Sequence, residues 1–285
     1  LDIFDPYYSD TPLDQFGLPE LIEVELNQTC NLRCIQCHVS YEKMTKMKLN
    51  KSIASHFKGM RGKWVKLGAM YEPVAHPDFA EIVNELTSYG VKIDLTTNGT
   101  LFTPKLVEKI KDANFRCVTI SFDGATPETY QKIRRRAMYE KALEGVKRFK
   151  DALKGREENI FFGVNYTVMK SNVHEISDAV KLFEEMGFDT IGFINMINPV
   201  ENEIVKSEEV FGIEHKIKDE ILKAATLIGK NKYKIVLGSA LIKQFSDKEK
   251  QNLEKLNIQF ISTKKQHGVA IQYHDGSKLM DNRIT

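Results

Sequence analysis

The sequence predicts an α/β fold assembled from parallel strand–helix units. Short apolar segments rich in β-branched residues alternate with amphipathic segments through about residue 195. Turn-forming residues follow three of the apolar segments, at Gly68, at Asn98–Gly99 and at Asp123–Gly124. Strands that are separated by helices pair in parallel, because the crossover brings the chain back in the same direction. In such folds the chemistry collects in loops at the carboxyl ends of the strands, so functional residues are expected there.

Six segments have the length and composition of β-strands. They are residues 21–26, 64–67, 91–96, 117–122, 161–168 and 190–195. The segments between them have the apolar periodicity of helices. Two examples are residues 79–86 and residues 173–186, and the second is followed by Gly187, a residue that favours the end of a helix. The alternation therefore supports a sheet of parallel strands with helices between them.

The pattern changes after Pro199. The remaining segments are a charged connector at residues 201–209, helices at 213–228 and 247–256, a possible strand at 235–237 and a strand at 269–273. Asp275–Gly276 follows the last strand and predicts a hairpin turn. We therefore expect a core at residues 1–200 and a small α+β extension at residues 201–285.

Composition and charge exclude several classes of partner. The 285 residues carry 41 Lys and Arg against 39 Asp and Glu, which gives a formal net charge of +2. This balance offers no basic excess for a nucleic acid or an anionic membrane. The hydrophobic fraction of 42% supports a folded core. No run reaches the roughly 18 apolar residues of a membrane span, and the first residues lack a signal region, so we expect a cytoplasmic protein.

Three of the four cysteines lie within eight positions, directly after the first predicted strand. Cys30, Cys34 and Cys37 form a C-x3-C-x2-C segment, whereas a disulfide scaffold would need many more cysteines. Thiolates are soft ligands that select iron–sulfur clusters or zinc. Three thiolates on one loop leave one metal position open for a substrate or cofactor. The alternatives are a Cys3His zinc site that uses His38, and three unrelated core cysteines.

The segment from Cys30 to Cys37, on a chain of strand–helix units, resembles the signature of the radical S-adenosylmethionine (SAM) superfamily. The resemblance implies a partial (β/α)6 TIM-like barrel and a [4Fe-4S] cluster on the three thiolates, with SAM chelating the fourth iron. It also implies reductive cleavage of SAM to a 5′-deoxyadenosyl radical that abstracts hydrogen from a substrate. The cofactor carries this chemistry and the protein orients it. Gln36 departs from the family, which usually has an aromatic residue or Met near the adenine at this position.

The loop after the second strand is similar to the Gly-Gly-Glu-Pro region of that family. Met70 and Glu72 lie in it, and the resemblance implies that they contact SAM, with the Glu72 carboxylate paired to the SAM amino group. Ala69 and Tyr71 replace family glycines, and glycine is what permits a close backbone approach. The alternative is that Glu72 is an ordinary loop carboxylate.

The next two strand ends supply the remaining cofactor contacts that the resemblance implies. Asn98 lies in a Thr-Asn-Gly-Thr turn that resembles the family's turn after strand three. Ser121 and Asp123 share one face of the fourth strand and are expected near the SAM carboxylate or ribose. Arg134 suits the SAM carboxylate by its fork geometry, and the alternative is a solvated basic stretch with the arginines that follow it.

The stretch from Ser121 to Tyr130 is similar to the branch of the family that carries a SPASM or twitch extension. In that branch cysteines in the extension bind auxiliary clusters, whereas here Thr263 and Asp281 stand near the expected positions and no Cys follows Cys117. We therefore expect one cluster and a degenerate or truncated extension. The expected substrate is a peptide, and the alternatives are a small metabolite such as a sugar or nucleoside, or a non-catalytic zinc-binding scaffold. The resemblance also implies an electron donor such as flavodoxin or ferredoxin.

Overall fold

The computed structural model describes residues 19–43, 45, 47–196, 202–228 and 233–260. The strands in this part of the chain are β1 (Leu21–Val24), β2 (Arg33–Cys34), β3 (Trp64–Leu67), β4 (Lys92–Thr97), β5 (Phe115–Ser121), β6 (Arg134–Arg135), β7 (Phe161–Val168), β8 (Thr190–Asn195), β9 (Lys234–Leu237) and β10 (Ile258–Phe260). The α-helices are α1 (Phe79–Ser88), α2 (Pro104–Ile110), α3 (Pro127–Ile133), α4 (Tyr139–Ala152), α5 (Ile176–Glu185), α6 (Glu203–Ser207), α7 (Glu214–Leu227), α8 (Ser239–Ile242) and α9 (Asp247–Glu254). Short 3₁₀ helices include His38–Ser40, Lys51–Phe57, Pro73–Ala75 and Val173–Glu175.

Eight strands form one sheet in the order β1-β3-β4-β5-β7-β8-β9-β10, and every neighbouring pair is parallel. The order follows the chain, as expected when each helix carries the chain to the next strand position. This arrangement confirms the predicted α/β class and is consistent with a partial TIM-like barrel. The remaining two strands, β2 and β6, form a separate antiparallel pair.

The sheet continues past residue 200. Strand β9, which the sequence predicted at 235–237, pairs in parallel with β8, and β10 pairs in parallel with β9. No sequence pattern predicted β10, which is only three residues long. The predicted strand at 269–273, its Asp275–Gly276 turn, and the positions Thr263 and Asp281 lie outside the described residues. The division at residue 200 therefore stays a prediction.

The two faces of the sheet differ in polarity. On one face, alternate residues such as Val65, Leu67, Ile93, Leu95, Val118 and Ile120 are buried in the core. Helices α1, α2, α4 and α5 bring large apolar side chains to this core, which is the main source of folding stability. On the other face, Glu23, Lys66 and Asp94 are register partners across β1, β3 and β4. That face therefore carries a row of charges across the first three strands of the sheet.

Glycines shape two of the strand-end loops. Gly68 has a φ of 84°, and a Cβ there would lie 2.5 Å from the carbonyl oxygen of Thr96. Gly99 has a φ of 73°, and a Cβ there would lie 2.6 Å from Val146. Both positions need the left-handed backbone and the small size that glycine alone provides. Along the described part of the chain, no helix is long and apolar enough to cross a membrane.

Candidate metal centre

The loop that carries the three clustered cysteines is clamped by backbone pairing. Strand β2 pairs antiparallel with β6, so that Cys34 lies opposite Arg134. The amide of Ile35 also donates to the carbonyl of Ile133, at 2.9 Å. Ile35 and Ile133 are buried and pack together with Met169. The sequence between α3 and α4 therefore fixes the cysteine loop at the carboxyl ends of the strands.

The three clustered thiols are partly buried. Burial raises the pKa of Cys30 to about 11 and that of Cys34 to about 12, and it also raises the pKa of Cys37. The charge of Arg134 opposes this rise at all three thiols. The thiols of the metal-free chain are therefore protonated at neutral pH, and a bound metal would displace these protons, because coordination favours the thiolate.

The donor set fits an iron–sulfur cluster. All three cysteines are free, and the Cys30 sulfur accepts a hydrogen bond from the amide of Leu32 at 3.4 Å. Hydrogen bonds from backbone amides to the ligand sulfurs are among the contacts that set the reduction potentials of such clusters. The described residues contain no group of three His, Cys, Asp or Glu side chains arranged to hold a single metal ion. In a four-iron cluster each thiolate binds a different iron, so its ligands need not converge on one point.

Glu72 lies at the centre of a network that joins three strand-end loops. Its carboxylate is buried and accepts hydrogen bonds from the Thr97 hydroxyl at 2.6 Å, the Asn98 amide at 2.8 Å and the Val74 amide at 3.1 Å. Its own amide donates to the carbonyl of Thr29, just before the cysteine loop. Burial raises the pKa of Glu72 to about 7, although the three hydrogen bonds act to lower it. Since a carboxylate offers about four acceptor positions, one remains for a further donor.

Asn98 connects the turn after β4 to the cysteine loop. Its side-chain amide donates to the side-chain oxygen of Asn31 at 2.9 Å, and its nitrogen lies 4.0 Å from the Cys30 sulfur. Its oxygen accepts from the backbone amide of Thr100 at 3.0 Å, which forms the expected turn. The structure thus places Asn98 beside the cysteine loop. Asn31, which lies between two of the cysteines, was not singled out from the sequence.

Met70 is placed differently from the other predicted contacts. Its side chain is exposed, whereas its backbone amide and that of Ala69 donate to one oxygen of Glu25, at 2.6 and 2.7 Å. Glu25 directly follows β1, whereas the strand predicted at residues 21–26 included it, so no local pattern marked Glu25 as a loop residue.

Asp123 is fully buried and organises the loop after β5. One carboxylate oxygen accepts from the Gln36 side-chain amide and from the Arg134 guanidinium, each at 2.7 Å. The other oxygen accepts from the backbone amide of Thr167 at 2.8 Å. Arg134 is itself buried, and burial acts to lower its pKa, but Asp123 and Cys34 reverse this and raise it. The guanidinium is therefore always charged.

Arg134 and Ser121, two of the predicted cofactor contacts, lie in different surroundings. Arg134 is not part of a solvated basic stretch, since it is buried whereas Arg136 is exposed. Ser121 ends β5 and is partly exposed, and its register partner is Asn165. The structure thus brings the cysteines, Asn98, Asp123 and Arg134 together, whereas Ser121 has no side-chain bond to this group among the described residues.

The comparisons with known proteins identify the family. The profile of the Radical SAM superfamily matches residues 24–183, which is more than half of the chain, and the chain therefore belongs to this superfamily. An AdoMet-dependent heme synthase of Methanosarcina barkeri is 34% identical over 174 residues, which cover 59% of this chain and 48% of that protein. The chain thus spans about half the length of this relative.

Two further relatives are named for other activities. A probable GTP 3′,8-cyclase of Methanocaldococcus jannaschii is 29% identical over 211 residues, covering 67% of this chain and 68% of that protein. The mycofactocin maturase MftC of Mycobacterium tuberculosis is 29% identical over 175 residues, covering 59% of this chain and 43% of that protein. These relatives of one superfamily are named for different reactions, so membership does not identify the substrate of this chain.

Solved structures support the fold. Streptococcus suis SuiB bound to S-adenosylmethionine matches with a TM-score of 0.63 at 15% identity, covering 81% of this chain and 53% of that one. SuiB bound to its precursor peptide SuiA matches with a TM-score of 0.56 at 14% identity, covering 74% of this chain and 47% of that one. At these identities the likeness concerns the fold alone.

Proposed function

We propose that this chain holds a [4Fe-4S] cluster on Cys30, Cys34 and Cys37 and uses it to cleave S-adenosylmethionine reductively. The observation that carries the proposal is the clamped loop with three partly buried thiols at the carboxyl ends of a parallel sheet. When bound, the cluster would supply the electron for reductive cleavage of SAM, and this cleavage would provide the means to abstract hydrogen from the substrate. The role of the chain is to bind and orient both cofactors and to exclude water.

The polar side chains around the loop suit these binding roles. Glu72 has one acceptor position left and would bind the SAM ammonium, which would also favour its ionised form. Asn98 would fix the cysteine loop and lie beside the cofactor. Met70, Ser121 and Asp123 complete the contacts that we propose for SAM. Arg134 would face the SAM carboxylate only with the part of its guanidinium that Asp123 does not use.

We propose a peptide as the substrate, modified by hydrogen abstraction. Two relatives support this choice, since MftC is a maturase and SuiB is found with a precursor peptide. A small metabolite is the second candidate, because the heme synthase and the GTP cyclase share more than a quarter of their aligned residues with this chain. Mass spectrometry of reactions with peptide pools and with nucleotides would distinguish the two.

Three further proposals rest on the family resemblance. A flavodoxin or ferredoxin would supply the electron, the protein would act in the cytoplasm, and residues 201–285 would form a SPASM-like extension without auxiliary clusters. Iron and sulfide analysis of the reconstituted chain tests the last point, since a second cluster would contradict it.

The decisive experiment is anaerobic reconstitution with iron and sulfide, followed by SAM and dithionite. We expect iron–sulfur absorbance and 5′-deoxyadenosine, and we expect neither in the Cys34→Ala variant. The matched control is Cys117→Ala, which removes the buried cysteine of β5 and should keep both signals. A colourless chain that binds zinc and forms no deoxyadenosine would overturn the proposal.

A further inference from the structure

Arg134 lies beside the cysteine loop in a defined register. It is directly opposite Cys34 in the antiparallel pair of β2 and β6. Residues that face each other in such a pair project their side chains to the same side, with their Cβ atoms roughly 5 Å apart. The Arg134 side chain is 7% exposed, so water screens its charge poorly. A permanent buried cation therefore lies next to one of the three thiols.

The contacts of Arg134 leave it incompletely paired. Its Nη2 donates to Asp123 at 2.7 Å, whereas its buried Nε has no hydrogen-bond partner among the described residues. Gln36 donates to the same oxygen of Asp123, so this oxygen is shared between two donors. A buried donor without a partner is costly in a folded chain and calls for an explanation, such as a role at the site.

Asp123 divides its two carboxylate oxygens among three donors. Arg134 and Gln36 donate to one oxygen, each at 2.7 Å, and the amide of Thr167 donates to the other at 2.8 Å. Arg134 is the register partner of Cys34, so the backbone fixes the positive member of the pair beside the cysteine loop.

We infer that Arg134, held by Asp123, is a positioning residue that raises the reduction potential of the cluster. The inference rests on the proposed function, because it presumes a cluster on the three cysteines. One-electron reduction adds one negative charge to the cluster, and a nearby buried cation stabilises the reduced state more than the oxidised state. Net charge around the cluster is one of the features by which proteins set such potentials.

Opposite charge changes on the two partners provide the test. Redox titration of the reconstituted chain, followed by electron paramagnetic resonance without SAM, gives the midpoint potential. In Arg134→Gln we expect the equilibrium constant for reduction to fall about tenfold, which is about 59 mV for one electron. In Asp123→Asn, which keeps the size and an acceptor oxygen, we expect a shift in the opposite direction. Arg134→Lys keeps the charge and should remain near the parent.

The control is Arg135→Gln, which removes a charge from the adjacent residue of the same strand. Successive residues of a strand project to opposite sides, and Arg135 donates to the carbonyl of Arg33 at 2.9 Å. We expect this variant to shift the potential less than Arg134→Gln. Shifts of the same sign in Arg134→Gln and Asp123→Asn, or no shift in either, would overturn the inference.

The remaining outcomes separate the inference from the proposed function. If the Arg134→Gln variant does not assemble a cluster, the Asp123→Asn variant provides the test. A midpoint potential of its cluster at or below that of the parent overturns the inference. Deoxyadenosine formation with unshifted potentials defeats the inference alone. Opposite shifts without deoxyadenosine support the inference and defeat the proposed function.

Discussion

Two arginine–aspartate pairs of this protein use the same residue types in different ways. In the middle of the sheet, Arg116 donates through both Nε and Nη2 to the two oxygens of Asp94, and its guanidinium lies 4.0 Å from the ring centroid of Trp64. At the cysteine loop, Arg134 reaches Asp123 through Nη2 and leaves Nε without a partner among the described residues. We call the first pair closed, because Asp94 accepts from two nitrogens of the Arg116 guanidinium. We call the second pair open, because the Arg134 guanidinium keeps a buried donor that can bind another group.

The difference teaches how to separate structural from functional polar groups on one sheet. Arg116 and its neighbours satisfy one another, as do Glu23 and Lys66 at 2.6 Å. Satisfied buried networks rigidify a fold, whereas groups with open positions cost stability unless something else binds them. Among the described residues, Glu72 and Arg134 have open positions at the carboxyl strand ends beside the cysteine loop, and the buried Gln36 Oε1 and His38 Nε2 of that loop also lack a hydrogen-bond partner.

The largest expected effect is the loss of the metal centre. Replacing Cys30 or Cys37 by Ala should abolish both iron–sulfur absorbance and deoxyadenosine, because two thiolates cannot hold the cluster in place of three. The same change at Asp94, in the closed pair, should leave both intact. Absorbance spectra and product analysis after anaerobic reconstitution check this contrast. A Cys30→Ala variant that still formed deoxyadenosine would contradict it.

The next effect concerns the stability of the two pairs. Asp123→Ala leaves the buried Arg134 without its counter-charge and should lower the free energy of unfolding by about 3–5 kcal/mol. Asp94→Ala leaves Arg116, which is 33% exposed and can be hydrated, so about 1 kcal/mol is expected. Urea denaturation of the metal-free chain measures both changes. Equal losses at the two sites would break the comparison.

The third effect is a pH dependence of the free energy of unfolding, which comes from Glu72. The pKa of Glu72 is raised from 4.5 to about 7 in the folded chain, so the folded state prefers the protonated form. The stabilisation from this group is complete below pH 4.5 and is lost as the pH rises through about 7. The difference in unfolding free energy between the parent and Glu72→Gln should therefore change over this window. A constant difference would show that the pKa of Glu72 is the same in the folded and the unfolded chain.

SAM binding should follow the opposite trend at the same residue. An ammonium partner needs the ionised carboxylate, so the affinity of the parent for SAM should weaken as the pH falls below about 7. Calorimetric titration of the reconstituted chain measures this, with Glu72→Gln as the variant that lacks the dependence. An affinity that Glu72→Gln leaves unchanged at every pH would remove Glu72 from the site.

The smallest effect is expected in the closed network. Lys66→Met breaks a pair whose members are 23% and 46% exposed, and such pairs contribute about 0–1 kcal/mol. Cluster content and deoxyadenosine formation should stay at the level of the parent. A loss of activity in a folded Lys66→Met variant would show that the middle of the sheet takes part in function.

Much of the fold follows from local patterns. The strands at 161–168 and 190–195 have the predicted bounds because the apolar alternation and the flanking turn residues act locally. Strand β10 was missed because three residues carry too little pattern, and its place depends on pairing with β9. Pairing between distant segments overrides weak local signals.

In the candidate site too, local features were predicted from the sequence, whereas contacts between distant segments were not. The cysteine loop was predicted, because its ligand spacing is contained in a short stretch of sequence. The bond between Gln36 and Asp123 joins residues 87 positions apart, and the burial of Arg134 depends on the pairing of β2 with β6. Neither follows from residue spacing, since both depend on how loops from different strand ends meet. Glu25 was missed for the same reason.

The measurement that tests the central claim most directly is deoxyadenosine formation by the reconstituted chain with SAM and dithionite. The account predicts an iron–sulfur chain that forms deoxyadenosine in the parent and in Cys117→Ala, and none in Cys34→Ala. A chain that assembles no cluster, or that forms deoxyadenosine equally well without Cys34, would contradict the account.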